Sequence, residues 1–282
     1  MARAPSKRLP KTQAAVTAED SALARYQDVV LGNRSWRSLA YYEFCMWLSW
    51  VPGALGLALR QVFWPRLFGA CGKKVYFGAN VVLMHPSRIR IGHRTVISNG
   101  SVLDARNPEL REVITLGDDV MLSHGVMISC KRGRVVIGDR VGIGAYTVIQ
   151  SAMGNEVSIG DDALLAPRCY LVGGGNYSLV TLDVPIAQQG ILPSGGTRLE
   201  SGVWLGANVT VLDGVTIGRD SAVGAGAVVT RSLPARMIAF GVPARVVRSR
   251  TEGLAGDGRS ARAEHRAAPT GMGAGSTKHA SD

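Results

Sequence analysis

One large apolar residue returns at every sixth position from residue 77 onward, in triplets separated by inserts of varying length. Six positions are three times the two-residue period of a β-strand, so each short strand points its large residue inward before a turn begins the next strand. Three such strands close one coil of a triangular prism. The repeat positions are Phe77, Leu83, Ile89, Ile91, Ile97, Leu103, Leu116, Leu122, Ile128, Ile137, Ile143, Ile149, Ile159, Leu165, Leu171, Leu199, Leu205, Val211, Ile217, Val223 and Val229.

These triplets predict an all-β solenoid, a parallel β-helix of about seven coils. A single coil cannot bury its own apolar side, whereas stacked coils bury one another and pair their backbones. Small or β-branched residues such as Val81, Val120 and Ala227 also recur four positions after the repeat residues. Long inserts follow only the third strand of a coil, so all excursions leave one edge of the prism, and the largest is the loop 172–198. A β-sandwich would not keep its triplets in register for this long.

The composition divides the chain into four parts. Residues 1–25 and 248–282 are rich in small and charged residues, so we expect two disordered tails. Residues 26–72 contain most of the aromatic residues and predict a helical element, with helices at 39–51 and 54–63 separated by a Pro-Gly break. Residues 73–247 form the predicted prism.

The net charge of +11 is concentrated in the tails. The first 18 residues hold four cations and no acid, and residues 248–282 hold six cations against four acids. Nucleic-acid binding needs cations clustered on one surface, and the prism region has no basic run, so no nucleic-acid partner is expected. The four cysteines lack metal-site spacing and the polar first 37 residues lack a secretory signal, which indicates a cytoplasmic protein with reduced thiols.

The helical element has two competing interpretations. Residues 39–59 contain Glu43 as their only charge, and their length is close to that of a membrane-spanning helix. Pro52 interrupts this stretch, which favours two short helices lying on a membrane surface through residues 39–66. The alternative is that the helices cap the prism or fill an interface between subunits.

The end of the repeat resembles a known family. Residues 199–230 read LESGVWLGANVTVLDGVTIGRDSAVGAGAVVT, and residues 241–247 read GVPARVV. This pattern is similar to the carboxyl end of the hexapeptide-repeat acyltransferases, the group that includes galactoside, maltose and polysaccharide O-acetyltransferases. The resemblance implies a left-handed parallel β-helix and a homotrimer. It also implies acetyl-CoA or another acyl-CoA as co-substrate, bound in the groove between adjacent prisms.

The resemblance further implies which residues bind the acyl-CoA. The matched positions are an indole at the groove, two small residues beside the pantetheine arm, a Thr-Lys pair that reads Thr-Arg in this chain, and two cations near the nucleotide phosphates. In that order they are Trp204; Ala207 and Ala225; Thr230 and Arg231; and Arg245 and Arg248. Packing at a sheet edge is an alternative role for the indole, and ordinary surface charge is an alternative for the arginines.

The catalytic position is where this chain departs from the family. The family carries a histidine in its long loop after GGGN, and Tyr177 occupies that place. An ordinary tyrosine has a pKa of about 10, so a phenolate at pH 7 costs roughly 4 kcal/mol and Tyr177 is a poor general base. Three roles remain open: Tyr177 orients the acceptor, donates a hydrogen bond to the thioester oxygen, or packs the loop onto a neighbouring subunit. Asp183 or another residue would then act as the base.

Other polar residues are weaker candidates. His85, His93 and His124 are expected in turns or on the surface, and their spacing does not match a zinc site, so no metal is predicted. Two further positions, Cys130 and the pair 150–151, follow third-strand repeat residues near the long loop and could line an acceptor pocket.

The sequence therefore predicts an acyl-CoA-dependent acyltransferase, typically an O-acetyltransferase, that acts on a sugar or sugar-containing metabolite. The alternative is a catalytically silent homologue that serves as a trimeric binding or scaffold protein, because Tyr177 replaces the family's histidine.

Overall fold

The computed structural model of the chain describes residues 20–190, 192 and 194–252. These residues form a parallel β-solenoid preceded by three α-helices, which confirms the predicted solenoid. Every repeat residue points into the prism, and none exposes more than 2% of its surface. The apolar core is therefore one continuous column along the prism axis.

Three parallel sheets form the three faces of the prism, which we call faces A, B and C. Face A contains the strands Ala70–Cys71, Ile89–Ile91, Ile114–Leu116, Arg134–Ile137, Glu156–Ile159, Thr197–Leu199 and Thr216–Ile217. Face B contains Tyr76–Phe77, Val96–Ile97, Met121–Leu122, Gly142–Ile143, Leu164–Leu165, Trp204–Leu205, Ala222–Val223, Met237–Phe240 and Arg245–Ser249. Face C contains Val82–Met84, Val102–Asp104, Met127–Lys131, Val148–Ala152, Tyr170–Gly173, Thr210–Val211 and Val228–Val229.

Successive coils pair without a register slip. Phe77 lies opposite Ile97 on face B, and Leu83 lies opposite Leu103 on face C. Because the coils stack closely, some corners admit only glycine: a Cβ added at Gly92 would lie 2.4 Å from the carbonyl carbon of Gly117 in the next coil. At the far end, the last two strands of face B pair antiparallel and close the stack.

The helices precede the first coil. Helix α1 spans Ala22–Tyr26 and continues into a π-helical turn at Gln27–Leu31, α2 spans Trp36–Leu48, and α3 spans Gly53–Phe63 before a 3₁₀ turn at Trp64–Leu67. Further 3₁₀ turns lie at Pro86–Arg88 and Ile186–Gln188. Ser35 caps α2 by accepting a hydrogen bond from the Ser38 amide. The predicted break at Pro52 is confirmed, although α2 begins three residues before the predicted start.

The helices close the open end of the prism. Trp64 is fully buried, with its ring centroid 5.4 Å from that of Phe77, and the Phe68 ring stacks on that of Phe77 at 5.5 Å. The Tyr42 hydroxyl donates to the Leu83 carbonyl at 2.6 Å, and the Ser49 hydroxyl donates to the Val81 carbonyl at 3.3 Å. The first coil, which has no coil above it, is therefore covered in the way that terminal repeats of solenoids require.

Arg60 joins both helices to the first coil, and no carboxylate of the described residues pairs with it. Its guanidinium is buried and donates to the carbonyls of Phe77, Leu48 and Val51 at 2.8–2.9 Å. Leu48 and Val51 lie at the carboxyl end of α2, where cations are favoured. Gly56 makes room for this arrangement, because a Cβ there would lie 1.8 Å from the Val51 oxygen. Burial lowers the pKa of Arg60 from its usual value.

The structure corrects the predicted tails at both inner boundaries. Residues 22–25, assigned to the amino-terminal tail, lie in α1, and residues 248–249, assigned to the carboxyl-terminal tail, end the last strand. Both segments owe their order to contacts with distant parts of the chain: Tyr26 bonds Glu43, and Ile238 pairs with Arg248. The remaining tail residues, 1–19 and 253–282, lie outside the described residues.

His85 was expected in a turn or on the surface; it lies at the start of the turn Pro86–Arg88, but its side chain is buried. Its Nδ1 lies 3.0 Å from the Arg88 guanidinium, so Nδ1 is the acceptor and Nε2 donates to the Asp28 carbonyl at 3.0 Å. This pair of contacts ties the π-helical turn to the prism and requires a neutral imidazole. Burial, followed by the charge of Arg88, lowers the pKa of His85 from its ordinary value, although the hydrogen bond to the Asp28 backbone and the charge of Asp104 oppose this shift.

We expect acid to weaken this contact. A neutral His85 stabilises the fold at pH values above the unfolded pKa of about 6.5, and this contribution is lost as the pH falls, because only the unfolded chain protonates freely. The thermal unfolding midpoint of the wild type should therefore fall more steeply between about pH 7.5 and pH 5.5 than that of His85→Asn, which tolerates the same backbone conformation. Equal slopes in the two proteins would show that protonation of His85 does not affect the stability of the fold.

Candidate functional site

A long arm leaves the prism at the corner between faces C and A. It follows the strand Tyr170–Gly173 and returns at Thr197–Leu199. Buried Thr197 fixes the base of the arm, since its hydroxyl lies 2.6 Å from the Val172 carbonyl and 3.1 Å from the Leu212 carbonyl. The Gly195 amide donates to the Asn155 side chain at 3.2 Å. The base is thus rigidly attached to the coils on either side.

The arm folds back on itself but buries few of its own side chains. The Leu192 amide donates to the Asn176 carbonyl at 2.7 Å, and the Gln189 side chain bonds the Thr181 carbonyl at 2.6 Å. Val180 and Leu182 are nevertheless 84% and 101% exposed. Apolar residues projecting this far from the prism are typical of a segment that contacts another surface.

The structure separates the two predicted catalytic residues. Tyr177 lies near the base of the arm with 47% of its surface exposed, and Asp183 lies at its exposed tip. Within the described residues, the Tyr177 hydroxyl forms no hydrogen bond and Asp183 forms no ion pair. The two side chains therefore do not form an acid–base pair within one subunit.

Asp213, which the sequence analysis did not select, lies at the base of the arm. It occupies the turn after the face C strand Thr210–Val211 and is half-buried. One carboxylate oxygen accepts a hydrogen bond from the side-chain Nδ2 of Asn176, the residue next to Tyr177, at 3.5 Å. The sequence could have indicated Asp213 as a candidate, because it follows the third-strand repeat residue Val211 at the corner from which the arm leaves. It resembles an ordinary turn aspartate in isolation.

Three predicted cofactor residues lie together along one edge. Ala207 and Ala225 occupy the corner between faces B and C in successive coils, and the Gly226 amide donates to the Ala207 carbonyl at 2.8 Å. Trp204 lies on face B just before this corner, with 43% of its surface exposed. An edge with small side chains permits close approach of a ligand to the backbone, as the pantetheine arm requires.

The other four cofactor residues lie elsewhere on the last coils. Thr230 and Arg231 follow the last face C strand, at the corner that carries the arm two coils earlier, so the structure does not place them beside Ala207. Arg245 and Arg248 lie in the final strand and are exposed. Their guanidinium groups contact only carbonyl oxygens among the described residues, so neither is neutralised by a carboxylate.

The expected acceptor-pocket residues are largely excluded. Cys130 and Ser151 are fully buried, and the Ser151 hydroxyl donates to the Asn155 carbonyl at 2.7 Å. Burial also raises the pKa of the Cys130 thiol well above its usual value, so this thiol is not a nucleophile. Gln150 faces outward and accepts a hydrogen bond from the Tyr170 hydroxyl at 3.1 Å. The prediction was wrong for the first two because strand residues alternate between inside and outside.

The described residues contain neither a metal-binding cluster nor a bilayer-spanning helix. No cluster of three or more His, Cys, Asp or Glu side chains is arranged to hold a metal ion. No described helix combines the length and apolar character needed to cross a bilayer.

Comparison with known proteins agrees with this geometry. The family model "Bacterial transferase hexapeptide (six repeats)" matches residues 196–231. A putative lipopolysaccharide biosynthesis O-acetyl transferase of Escherichia coli, WbbJ, is 36% identical over 142 residues, which cover 48% of this chain and 71% of that protein. A probable acetyltransferase of Mycobacterium tuberculosis, Rv3034c, is 32% identical over 169 residues, covering 58% of this chain and 55% of that protein.

Galactoside O-acetyltransferase of Escherichia coli is 37% identical over 92 residues, covering 33% of this chain and 43% of that enzyme. Among solved structures, a mutant of AntD, an N-acyltransferase from Bacillus cereus in complex with dTDP and coenzyme A, superimposes with a TM-score of 0.45. It is 26% identical, and the match covers 67% of this chain and 88% of AntD.

The stacked six-residue coils and the projecting arm define a hexapeptide-repeat protein. The chain belongs to the bacterial hexapeptide-repeat transferase family, as the match to WbbJ shows. It spans about half the length of Rv3034c and of the Escherichia coli galactoside O-acetyltransferase.

Proposed function

We propose that the protein is an acyl-CoA-dependent acyltransferase, in particular an O-acetyltransferase, that acts on a sugar or sugar-containing metabolite. The observation that carries this proposal is the edge formed by Trp204, Ala207 and Ala225. Face B continues from Trp204 to its last strand, where Arg245 and Arg248 form no ion pair with any described residue. Small residues suit the pantetheine arm, and arginines suit the phosphates. The names of the relatives, which transfer acetyl groups to galactosides or act in lipopolysaccharide synthesis, support a sugar acceptor.

The reaction requires an acceptor hydroxyl to attack the thioester carbonyl, lose its proton to a base and displace the coenzyme A thiol. Asp213 is better placed to act as this base than Asp183, since it contacts the residue next to Tyr177 whereas Asp183 lies at the arm tip. A carboxylate is ionised at neutral pH but is a weaker base than histidine. Tyr177 would donate a hydrogen bond to the thioester oxygen as negative charge develops there.

A homotrimer is part of this proposal. The outward residues of face B are Tyr76, Val96, Met121, Gly142, Leu164, Trp204, Ala222 and Ile238, and those of face C include Val82, Val102, Met127, Val148 and Val228. Face A instead presents Arg90, Thr115, Ser158 and Arg198 among its outward residues. Two apolar faces and one polar face suit a closed ring in which different surfaces of neighbouring copies meet.

The proposal also includes a cellular location and a second candidate function. We propose a cytoplasmic location, and the free cysteines support it, among which Cys45, Cys130 and Cys169 are buried. The expected membrane contact of residues 39–66 belongs to a different surface from the acyl-transfer edge. A catalytically silent trimeric scaffold remains the second candidate, and the unpartnered hydroxyl of Tyr177 within the described residues is the observation that favours it.

Calorimetry of the full chain with coenzyme A tests the proposed ligand. We expect binding, and we expect Arg245→Ala/Arg248→Ala to weaken it by at least about ten-fold, because charge-assisted hydrogen bonds to the phosphates are lost. Arg90→Ala, which removes a cation from the first coil, is the matched control and should bind normally. Absence of coenzyme A binding by the wild type would refute the proposed function. Binding without thiol release from acetyl-CoA across a panel of glycan acceptors would support the silent scaffold.

Substitutions at the arm test the catalytic assignment. Tyr177→Phe should lower kcat by about 100-fold with little change in the KM for acyl-CoA, the effect expected for a lost oxyanion donor. Tyr170→Phe removes a hydroxyl from the neighbouring strand and should retain activity. Asp213→Asn should slow turnover more than Asp183→Asn does. Full activity of Tyr177→Phe would assign this residue to packing, and the reverse order of the two aspartates would place the base at the arm tip.

Sedimentation velocity tests the trimer. Met127→Glu/Leu164→Glu places one charge on each apolar face and should convert a trimer to monomers, because the buried carboxylates would be left unpaired. Ser158→Glu adds a charge to face A, beside Arg198, and should leave the trimer intact. A wild-type monomer, or a trimer that survives the double substitution, would contradict the proposed interface.

A further inference from the structure

The outer side of helix α2 is aromatic, and none of the described residues covers it. Trp36, Trp47 and Trp50 expose 68%, 65% and 76% of their surfaces. Positions 36 and 47 lie on one stripe of α2 at the helical period, and Trp50 lies in the turn that follows the helix. On the other side of α2, Tyr42 and Leu48 are buried. The exposure is therefore directional, and it is confined to the side that the first coil does not cover.

Helix α3 extends this surface. Leu55 and Val62 are 66% and 60% exposed, and the two helices pack on each other through an edge-on contact of Phe44 and Phe63 at 5.1 Å. Both helices bury their other sides against the first coil, as Tyr42 and Arg60 show. The exposed stripes thus form one apolar surface at the end of the prism, and we call this surface the aromatic cap.

A basic depression lies beside the aromatic cap. Gln61 and Pro65, which flank Val62 and the end of α3, line it together with Lys73 and Lys74, and its volume is about 450 Å³. The two lysine side chains form no ion pair within the described part of the chain. A pocket of this size with two cations suits a phosphate-bearing group.

The nearby acids do not neutralise this depression. Glu43, the acid on the aromatic stripe, accepts a hydrogen bond from the Tyr26 hydroxyl at 2.5 Å and forms no ion pair with Lys73 or Lys74. Along the corner below Lys73, the next groups are His93, which accepts from the Lys73 amide, and Asp118, which is paired with Arg94. The aromatic cap and the depression beside it together combine exposed tryptophans with two lysines and one acid, Glu43.

We propose that the aromatic cap is a docking site for an anionic phospholipid bilayer. Tryptophans favour the membrane–water interface, and α2 and α3, with 13 and 11 residues, are too short to span a bilayer, so they would lie on its surface. The lysine depression receives the headgroup phosphate. A second copy of the cap is a less suitable occupant, because it would bring the same cations together.

Docking at this end leaves the acyl-transfer edge free. The arm leaves the prism between the fifth and sixth coils, and coils spaced by about 4.8 Å place its base roughly 20 Å from the capped end. In a trimer, three caps would face the same bilayer and strengthen one another's binding. The site is distinct from the proposed acyl-CoA groove and is testable without any acceptor.

The test is co-sedimentation of the full chain with sucrose-loaded vesicles of phosphatidylcholine, with or without phosphatidylserine. We expect binding to the phosphatidylserine vesicles that weakens as salt is raised. Lys73→Ala/Lys74→Ala should lower the partition coefficient by about 30-fold. Trp47→Ala/Trp50→Ala should lower it by at least about ten-fold. Point variants are used because deleting the helices would uncover Phe77, and their thermal melting verifies that they fold.

The matched control is Arg198→Ala/Arg219→Ala, which removes two cations from the other end of the prism and should bind vesicles like the wild type. No binding to phosphatidylserine vesicles, or equal losses in the control and the lysine variant, would overturn the proposal. Self-association in the absence of vesicles that Trp47→Ala/Trp50→Ala abolishes would also overturn it, because a second copy would then cover the cap.

Discussion

The parallel pairing of each coil with the next is the constraint on which the rest of the molecule depends. A coil has neither an apolar core nor a complete set of backbone hydrogen bonds until another coil lies on each side of it. This explains why the repeat residues are buried so uniformly and why Gly92 admits no side chain. It also explains why excursions occur only at corners, where a chain can leave without breaking a sheet.

The functional edge follows from the same constraint. Ala207 and Ala225 lie above each other because both occupy one corner position in successive coils, so a short sequence pattern places them side by side. The arm, in contrast, is held to the prism at its base and exposes apolar residues such as Val180 and Leu182. The prism thus supplies a fixed surface, and the arm supplies the groups that need a partner.

The predictable features are those that the repeat period determines. The six-residue spacing located the inward residues, the corners and the origin of the arm, and Pro52 located the helix break. Features that depend on contacts between distant residues were missed. The burial of His85 depends on Asp28 and Arg88, and the position of Asp213 beside Asn176 depends on how the arm folds back. The outward orientation of Gln150 and the inward orientation of Ser151 required the strand register.

The helices recognise the first coil largely through its main chain. Tyr42, Ser49 and Arg60 each direct a side-chain donor at a carbonyl oxygen of that coil, and carbonyl oxygens recur with the same spacing in every coil. The helices would therefore fit a prism with more or fewer coils, provided that its first coil carried an aromatic ring like that of Phe77. The number of coils can therefore change while the contacts between the helices and the first coil stay the same.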